Sequence, residues 1–465
     1  MTIRTTLVVV GLLASLAGTP VGAEDRTFNV RDYGAKGDRE TLDTAAIQAA
    51  VDACAKVGGG VVLVSQGDYL SATIRLKDRV TLRIAKGACL WVSADRADYD
   101  GSRQLLVADG AVGVSVEGEG AIDGQATGDF GDRWGQPNRP EFRTGILLFQ
   151  GCKDVAVRGI TIRHSDAWTL HFRRCENVAV QGVTIRNNYR RLNSDGIVPN
   201  MCRNVRITGC DIVAGDDCIV LKTTEAEPCE DVVVTDCRLE SAATAIKLGT
   251  ESHGDFRNVR FSNCKIRNSF IGIGLYLKDG GTMENVRFEN IDVETCAAIG
   301  HTAAPVFMDI ERRNKDSKVG TIRNVIFENI RIRSGSGILV QGMPESPITG
   351  LALKDVRFRV DQADDYAKRQ KPVGGRRTLR DQRDTEFARL PAYATIAHAR
   401  NLLLEGLTVE IAPEAFARYD RSALCGREIQ GGLLRRVRRE PGQEAGKRPV
   451  VDLETCRDVR TEPDP

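Results

Sequence analysis

Three aspartates in one short stretch are the part of this chain best suited to chemistry. Asp195 stands in Asn193-Ser194-Asp195-Gly196, and Asp216 and Asp217 are adjacent in Gly215-Asp216-Asp217-Cys218. Carboxylates brought close together repel, and the repulsion raises at least one pKa. A carboxyl kept protonated serves as a general acid, while an ionised neighbour activates water. A lone Asp-Gly is ordinarily a turn. An Asp stacked on an Asp-Asp pair is harder to explain by turn formation and points to acid–base catalysis.

Whether the three meet depends on the elements that carry them, and here the sequence repeats. Asp154, Asn177, Asn204, Asp231, Asn258, Asn285 and Asn324 each open a similar β-branched run, at steps of 23, 27, 27, 27, 27 and 39 residues. The last step contains an insertion from about Ile299 to Gly320. Short alternating runs separated by Gly, Asn, Asp and Ser read as strands and turns, and a period in the twenties reads as a solenoid. Leucine-rich repeats share the period but need a leucine pattern that is missing here. The reading is all-β: a right-handed, single-stranded parallel β-helix, with the recurring Asn as an internal amide ladder at a turn.

Counting along the repeat then places the carboxylates. Aligning Ser194-Asp195-Gly196-Ile197-Val198 with Asp216-Asp217-Cys218-Ile219-Val220 puts Asp195 directly below Asp217, about 5 Å away between Cα atoms. Thr244, in Ala243-Thr244-Ala245, follows above Asp217. Asp216 leans out at the strand edge, where Gly215 permits an irregular backbone. Trp168 lies 27 residues before Asp195, hence on the same ladder, and is a candidate stacking platform for a substrate.

A solenoid needs covered ends. Thr44 to Lys56 is the clearest helical stretch, with Asp43 or Thr44 as its N-cap, and is expected to cover the N-terminal end. One β-helix domain is expected over 24–465, with regular coils about 105–360. A charged, apolar-poor excursion is expected over 361–385 and an irregular tail from about 440. Residues 1–23 read as a secretory signal, with Arg4, an apolar run from Leu7 to Ala17 and a small-residue site at Val21-Gly22-Ala23. The mature chain is therefore expected to be secreted or periplasmic, without a membrane span, and to act as a monomer.

The 465 residues carry a net charge of only +2, so bulk charge points neither to nucleic acid nor to a membrane surface. Thirteen cysteines in an exported chain would ordinarily suggest disulfides. However, Cys175, Cys202 and Cys229 share the 27-residue step, as do Cys210, Cys237 and Cys264. Cysteines on the repeat period read as small stacked core residues, though neighbouring coils lie within bridging distance.

Four segments carry a family likeness. They are Gly118-Glu119-Gly120-Ala121-Ile122-Asp123-Gly124, His164-Ser165-Asp166-Ala167-Trp168-Thr169-Leu170-His171, Asn193-Ser194-Asp195-Gly196-Ile197 and Gly215-Asp216-Asp217-Cys218-Ile219. Through them the chain resembles glycoside hydrolase family 28, the polygalacturonase and rhamnogalacturonan hydrolase family of right-handed parallel β-helices. The opening Asn29-Val30-Arg31-Asp32-Tyr33-Gly34-Ala35 is similar to the start of many pectin-active β-helices. The resemblance implies inverting hydrolysis of a galacturonate-containing or related glycan. Asp216 would protonate the glycosidic oxygen, and Asp195 and Asp217 would hold and deprotonate water. No metal and no cofactor are implied.

Two departures bear on substrate. Where many members carry Gly-His-Gly, this chain has Ala243-Thr244-Ala245; His253 follows about nine residues late as a candidate replacement. The Arg-Ile-Lys motif that receives a galacturonate carboxylate stands here as Tyr276-Leu277-Lys278. Lys278, Lys247 and Lys222 remain candidates for that role, with Tyr276 beside them. The pattern points to retained chemistry on a changed substrate. The competing readings are a polysaccharide lyase on the same scaffold, with a basic residue and Ca²⁺ at acidic ligands, and a non-catalytic glycan-binding β-helix.

Overall fold

The computed structural model describes residues 26–130, 137–296, 303–369, 386–441 and 445–462. The chain winds as a solenoid whose strands pair in parallel from one coil to the next. Each regular coil contributes a strand to each of three stacks. One stack runs through Lys153–Arg158, Glu176–Gln181, Arg203–Thr208 and Cys229–Thr235. A second runs through Thr161–Arg163, Thr184–Arg186, Asp211–Ala214 and Arg238–Ser241. The third, which matters most below, runs through Leu170–Arg173, Ile197–Asn200, Ile219–Thr223, Thr244–Ser252 and Ile271–Leu277.

The core is a set of like-on-like ladders. Val205, Val232, Val259 and Val286 are register partners on successive coils and are buried. Phe261, Phe288 and Phe327 stack nearly parallel, with centroid separations of 5.6 and 4.8 Å. The period thus does more than repeat a shape, since it puts the same side chain above itself and fills the interior without a change of volume from coil to coil. The thirteen cysteines are free thiols, and all but Cys296 and Cys456 are buried. Several donate to carbonyls, as Cys202 Sγ does to Phe172 O at 3.3 Å.

The amide ladder forms on the outside, not the inside. Asn177 Nδ2 donates to Asp154 Oδ1 (2.8 Å), Asn204 to Asn177 (2.7 Å) and Asn258 to Asp231 (2.9 Å), and these residues are exposed. All have φ between 53 and 56°. This left-handed conformation is one that Asn and Asp tolerate better than other side-chain-bearing residues. The recurring Asn is selected by a bend in each strand, and the surface ladder follows from stacking those bends.

The helix Thr44–Lys56 covers the N-terminal end, burying Ile47, Ala50, Val51 and Cys54 at helical spacing. Asp43 occupies the N-cap position but makes no side-chain cap bond; its carboxylate instead accepts from the Lys36 and Gly37 amides (2.7 and 2.9 Å). Regular pairing begins well before residue 105, at Thr27–Asn29. The expected insertion from Ile299 to Gly320 contains a regular strand, Ala304–Ile310, paired with Ile271–Leu277. The tail expected from about 440 is also ordered in part. Val451–Glu454 and Arg457–Glu462 pair with the long strand Ser422–Glu440 and complete a final coil. The signal reading over 1–23, and residues 370–385 of the charged excursion, lie outside the described residues.

Candidate active site

The third stack of strands positions the aspartates at its entrance. Ile197 pairs with Ile219 and Asn200 with Lys222, and Gly196 N donates to Asp217 O at 2.9 Å. Asp195 and Asp217 therefore occupy equivalent positions on consecutive coils. Leu170 pairs with Ile197, and Thr169 N donates to Asp195 O (2.8 Å), which sets Trp168 on the ladder before Asp195. Cys218 N donates to Thr244 O (3.1 Å), which sets Thr244 after Asp217.

Burial separates the three carboxylates. Asp195 and Asp217 are each 2% exposed, whereas Asp216 is half-buried. One oxygen of Asp216, Oδ2, accepts from the Asn193 amide at 2.8 Å, and its carbonyl accepts from Ser241 Oγ at 2.6 Å. Asp217 Oδ1 accepts from the Thr244 amide (3.1 Å), and Oδ2 from the Lys247 ammonium (2.8 Å). Asp195 Oδ1 is buried with no hydrogen-bond partner among the described residues.

These surroundings fix the electrostatics. Burial, followed by the charges of Asp216 and Asp217, pushes the Asp195 carboxyl well above its ordinary value, against the opposing pull of Lys222 and Lys247. Burial also raises Asp217, with Lys247 opposing most strongly. Asp195 and Asp217 thus hold a proton more tightly than isolated aspartates do.

An ion-pair cluster holds the loop before Asp195. Asp166 sits between Arg143 (3.0 Å) and Arg191 (2.7 Å), both packed over the Phe130 ring. Arg143 also donates to Leu192 O at 2.7 Å, and Asn187 Nδ2 donates to Ser194 O at 2.9 Å. The turn 188–194 lies so close to Gly215 that a Cβ there would fall 2.3 Å from the carbonyl oxygens of both Arg191 and Asn188. Gly215 is required for space next to the acidic pair. Asp166 appeared in the sequence only as part of a motif, and Arg143 lies in a loop with no repeat to align it.

Around the cluster, Lys222 and Lys247 are nearly buried and ion-paired, Lys222 with Glu251 at 2.7 Å. The Lys222 ammonium lies 5.0 Å from the Trp168 ring centroid, and that of Lys247 lies 5.0 Å from the Tyr276 ring. Trp168 is half-buried and meets His171 edge to face at 4.8 Å. Burial, reinforced by Lys222 and Arg173, pushes His171 down to about 3, so the ring is neutral and its Nε2 is within reach of the Asn200 amide (3.4 Å). Against its own burial, Glu251 is held down to about 2 by the Lys222 charge.

Three candidates stand differently from the sequence expectation. Lys278 is fully buried and paired with Glu311, so its ammonium is already neutralised and is not presented to a uronate carboxylate. Tyr276 is 3% exposed and packs on Phe307, at 4.8 Å between centroids. His253 is exposed, with Nε2 3.9 Å from Asp279. It follows the end of the strand Thr244–Ser252, whose other end adjoins Asp217. At about 3.3 Å per residue that is on the order of 20 Å from the cluster, too far to tune the acid. The sequence hides Glu251, because the register shifts between Leu221 and Thr223 and counting 27 from Lys222 reaches Gly249 instead. Among the described residues, no three His, Cys, Asp or Glu side chains are grouped so as to hold a metal ion.

The model of the Glycosyl hydrolases family 28 matches residues 54–371. Among curated proteins, the chain is 27% identical over 233 residues to a probable polygalacturonase of Vitis vinifera, covering 46% of this chain and 47% of that protein. The chain spans about half the length of the curated relatives it matches. Among solved structures, an exopolygalacturonase from Thermotoga maritima superimposes with a TM-score of 0.64 at 23% identity, over 72% of this chain and 87% of that one. A family 28 exopolygalacturonase from Yersinia enterocolitica gives 0.63 at 18% identity, over 93% and 78%. At such identities the structural likeness is one of fold. The family match instead covers well over half of the sequence and contains Asp195, Asp216 and Asp217, and on that ground the chain belongs to glycosyl hydrolases family 28, as a polygalacturonase-like member.

Proposed function

We propose that the protein is a secreted, inverting glycoside hydrolase that cuts a galacturonate-containing glycan of the pectin or rhamnogalacturonan type. One observation carries the reading: two buried aspartates stacked on consecutive coils, with a third, half-exposed aspartate next to them. Asp216 is the general acid. It is the member open to a glycosidic oxygen, and the Asn193 amide holds one of its oxygens in place. Asp195 and Asp217 take the water. Lys247 opposes the burial that raises Asp217 and so favours its ionised form, and the unpartnered Oδ1 of Asp195 offers a second acceptor for the water's protons. In inverting hydrolysis the acid and base stand far enough apart to admit a water between base and anomeric carbon. Asp216 gives its proton to the leaving oxygen, and the proton taken from water restores the acid form after each turnover.

The signal-like residues 1–23 fit a polysaccharide substrate met outside the cytoplasm. The test is a panel of pectin and rhamnogalacturonan oligosaccharides, assayed by reducing-end release and by ultraviolet absorbance. The expected result is new reducing ends without unsaturated product. Absorbing product that disappears on chelation would establish the lyase chemistry instead, and binding without cleavage of any oligosaccharide would establish a glycan-binding protein.

A further inference from the structure

Two lysines beside the aspartates are each already matched by a carboxylate. Lys222 is paired with Glu251 (2.7 Å) and Lys247 with Asp217 (2.8 Å). Counting Asp195 and Asp216 as well, these two cations face four carboxyl groups. A uronate entering beside them would add another negative charge where neither lysine is uncommitted. It would have to displace Glu251 or Asp217 to gain one. Like charges brought together in a partly desolvated site are strongly disfavoured, and such repulsion selects between otherwise similar ligands.

The same groups suit a neutral sugar. The Lys222–Glu251 pair offers adjacent donors and acceptors, and the Glu251 side chain is 36% exposed while Lys222 is 6% exposed. Carboxylate oxygens accept from hydroxyls as readily as they accept from ammonium, and a carboxylate has lone pairs to spare after one ion pair. Beside the pair, Trp168 supplies an apolar surface and His171 a neutral ring. An aromatic face, an exposed carboxylate and a buried lysine together match an uncharged pyranose, whose C–H face packs on an aromatic and whose vicinal hydroxyls bridge acceptor and donor.

We infer that the Trp168–Lys222–Glu251 surface is a subsite for a neutral sugar next to the scissile bond, and that Glu251 is the residue that excludes galacturonate from it. This rests on the glycosidase reading above and narrows it: the substrate is a heteroglycan in which a neutral residue occupies this position and uronates lie elsewhere.

The test compares a galacturonate homo-oligomer with an alternating galacturonate–rhamnose oligomer of equal length. Binding is measured by titration calorimetry on Asp216→Asn, and hydrolysis on the otherwise wild-type enzyme. The alternating oligomer is expected to bind at least tenfold more tightly. Glu251→Gln removes the negative charge and frees Lys222, and is expected to shift the ratio at least tenfold toward the homo-oligomer. Glu251→Asp keeps the charge and should leave the preference in place. Tighter binding of the homo-oligomer to the parent protein, or a ratio that Glu251→Gln moves by less than twofold, overturns the inference while leaving hydrolysis standing. Absence of hydrolysis together with the predicted binding preference overturns the glycosidase reading and leaves the subsite.

Discussion

The Lys247–Asp217 pair allows the electrostatics of the site to be measured through stability. The ammonium lies 2.8 Å from Asp217 Oδ2, and both side chains are nearly buried, at 11% and 2% exposure. At that distance two unit charges attract by about 6 kcal/mol at an effective dielectric of 20, most of which offsets the desolvation of the two ions. Removing one partner is different, because it strands the other, and the typical loss is about 3–5 kcal/mol. Lys247→Met keeps the apolar stem against Tyr276 while deleting the charge. Lys222 still acts on Asp217, so the lower end, about 3 kcal/mol, is expected at pH 8. Adding Asp217→Asn removes the stranded charge while leaving an oxygen for the Thr244 amide. The double variant should recover at least about 2 kcal/mol of the loss. Urea unfolding followed by circular dichroism gives the four corners of the cycle. The single-variant penalty should also shrink as pH falls, because an unpaired Asp217 can take up a proton. A loss below about 1 kcal/mol, or a coupling below about 0.5 kcal/mol, would refute the assignment of Lys247 as the main charge favouring ionised Asp217.

Three further outcomes are expected. Asp195→Asn should stabilise the protein at neutral pH while abolishing hydrolysis. The folded carboxyl binds its proton above the ordinary value of 3.8, so wild-type stability falls as pH rises from there through the raised folded value. The urea midpoint of the variant should pull ahead across that window and match wild type below it; a difference independent of pH would count against the burial argument. Arg143→Ala removes the bond to Leu192 O and one partner of Asp166, loosening the turn ahead of Asp195. It should lower kcat about 10- to 100-fold with KM changed far less, and Arg143→Lys should restore only part of it, since lysine lacks the two-armed geometry. His253→Ala should leave kcat/KM within about twofold, because the ring is exposed and lies a strand's length from the cluster; a larger loss would return that histidine to the site.

Much of this arrangement could be read from residue types and intervals. A 27-residue period with like residues above like residues determines the coil, and once the coil is known the Asp195–Asp217–Thr244 stack follows by counting. Counting fails where the strand breaks step. The irregular register after Leu221 hides Glu251 from Lys222, and with it the feature that most affects substrate charge. Contacts that cross the repeat are equally invisible. Arg143, Asp166 and Arg191 come from a long turn and two successive coils, and nothing in their spacing pairs them. Lys278 meets Glu311 because Leu277 pairs with Ile310 on the next coil, 33 residues on and off the 27-residue period. The exposed Asn ladder reads as internal from the sequence because stacking inside and outside the coil gives the same period; the exposure of these residues decides between them.

The roles given to the three aspartates make one stereochemical demand. If Asp195 and Asp217 direct water to the face opposite the bond that Asp216 protonates, the sugar first released carries the anomeric configuration opposite to that of the cleaved linkage. Proton NMR recorded within the first minutes of digestion, before mutarotation mixes the anomers, reads this directly. Inversion is the predicted result; a first product with retained configuration, or an unsaturated sugar end, would contradict it.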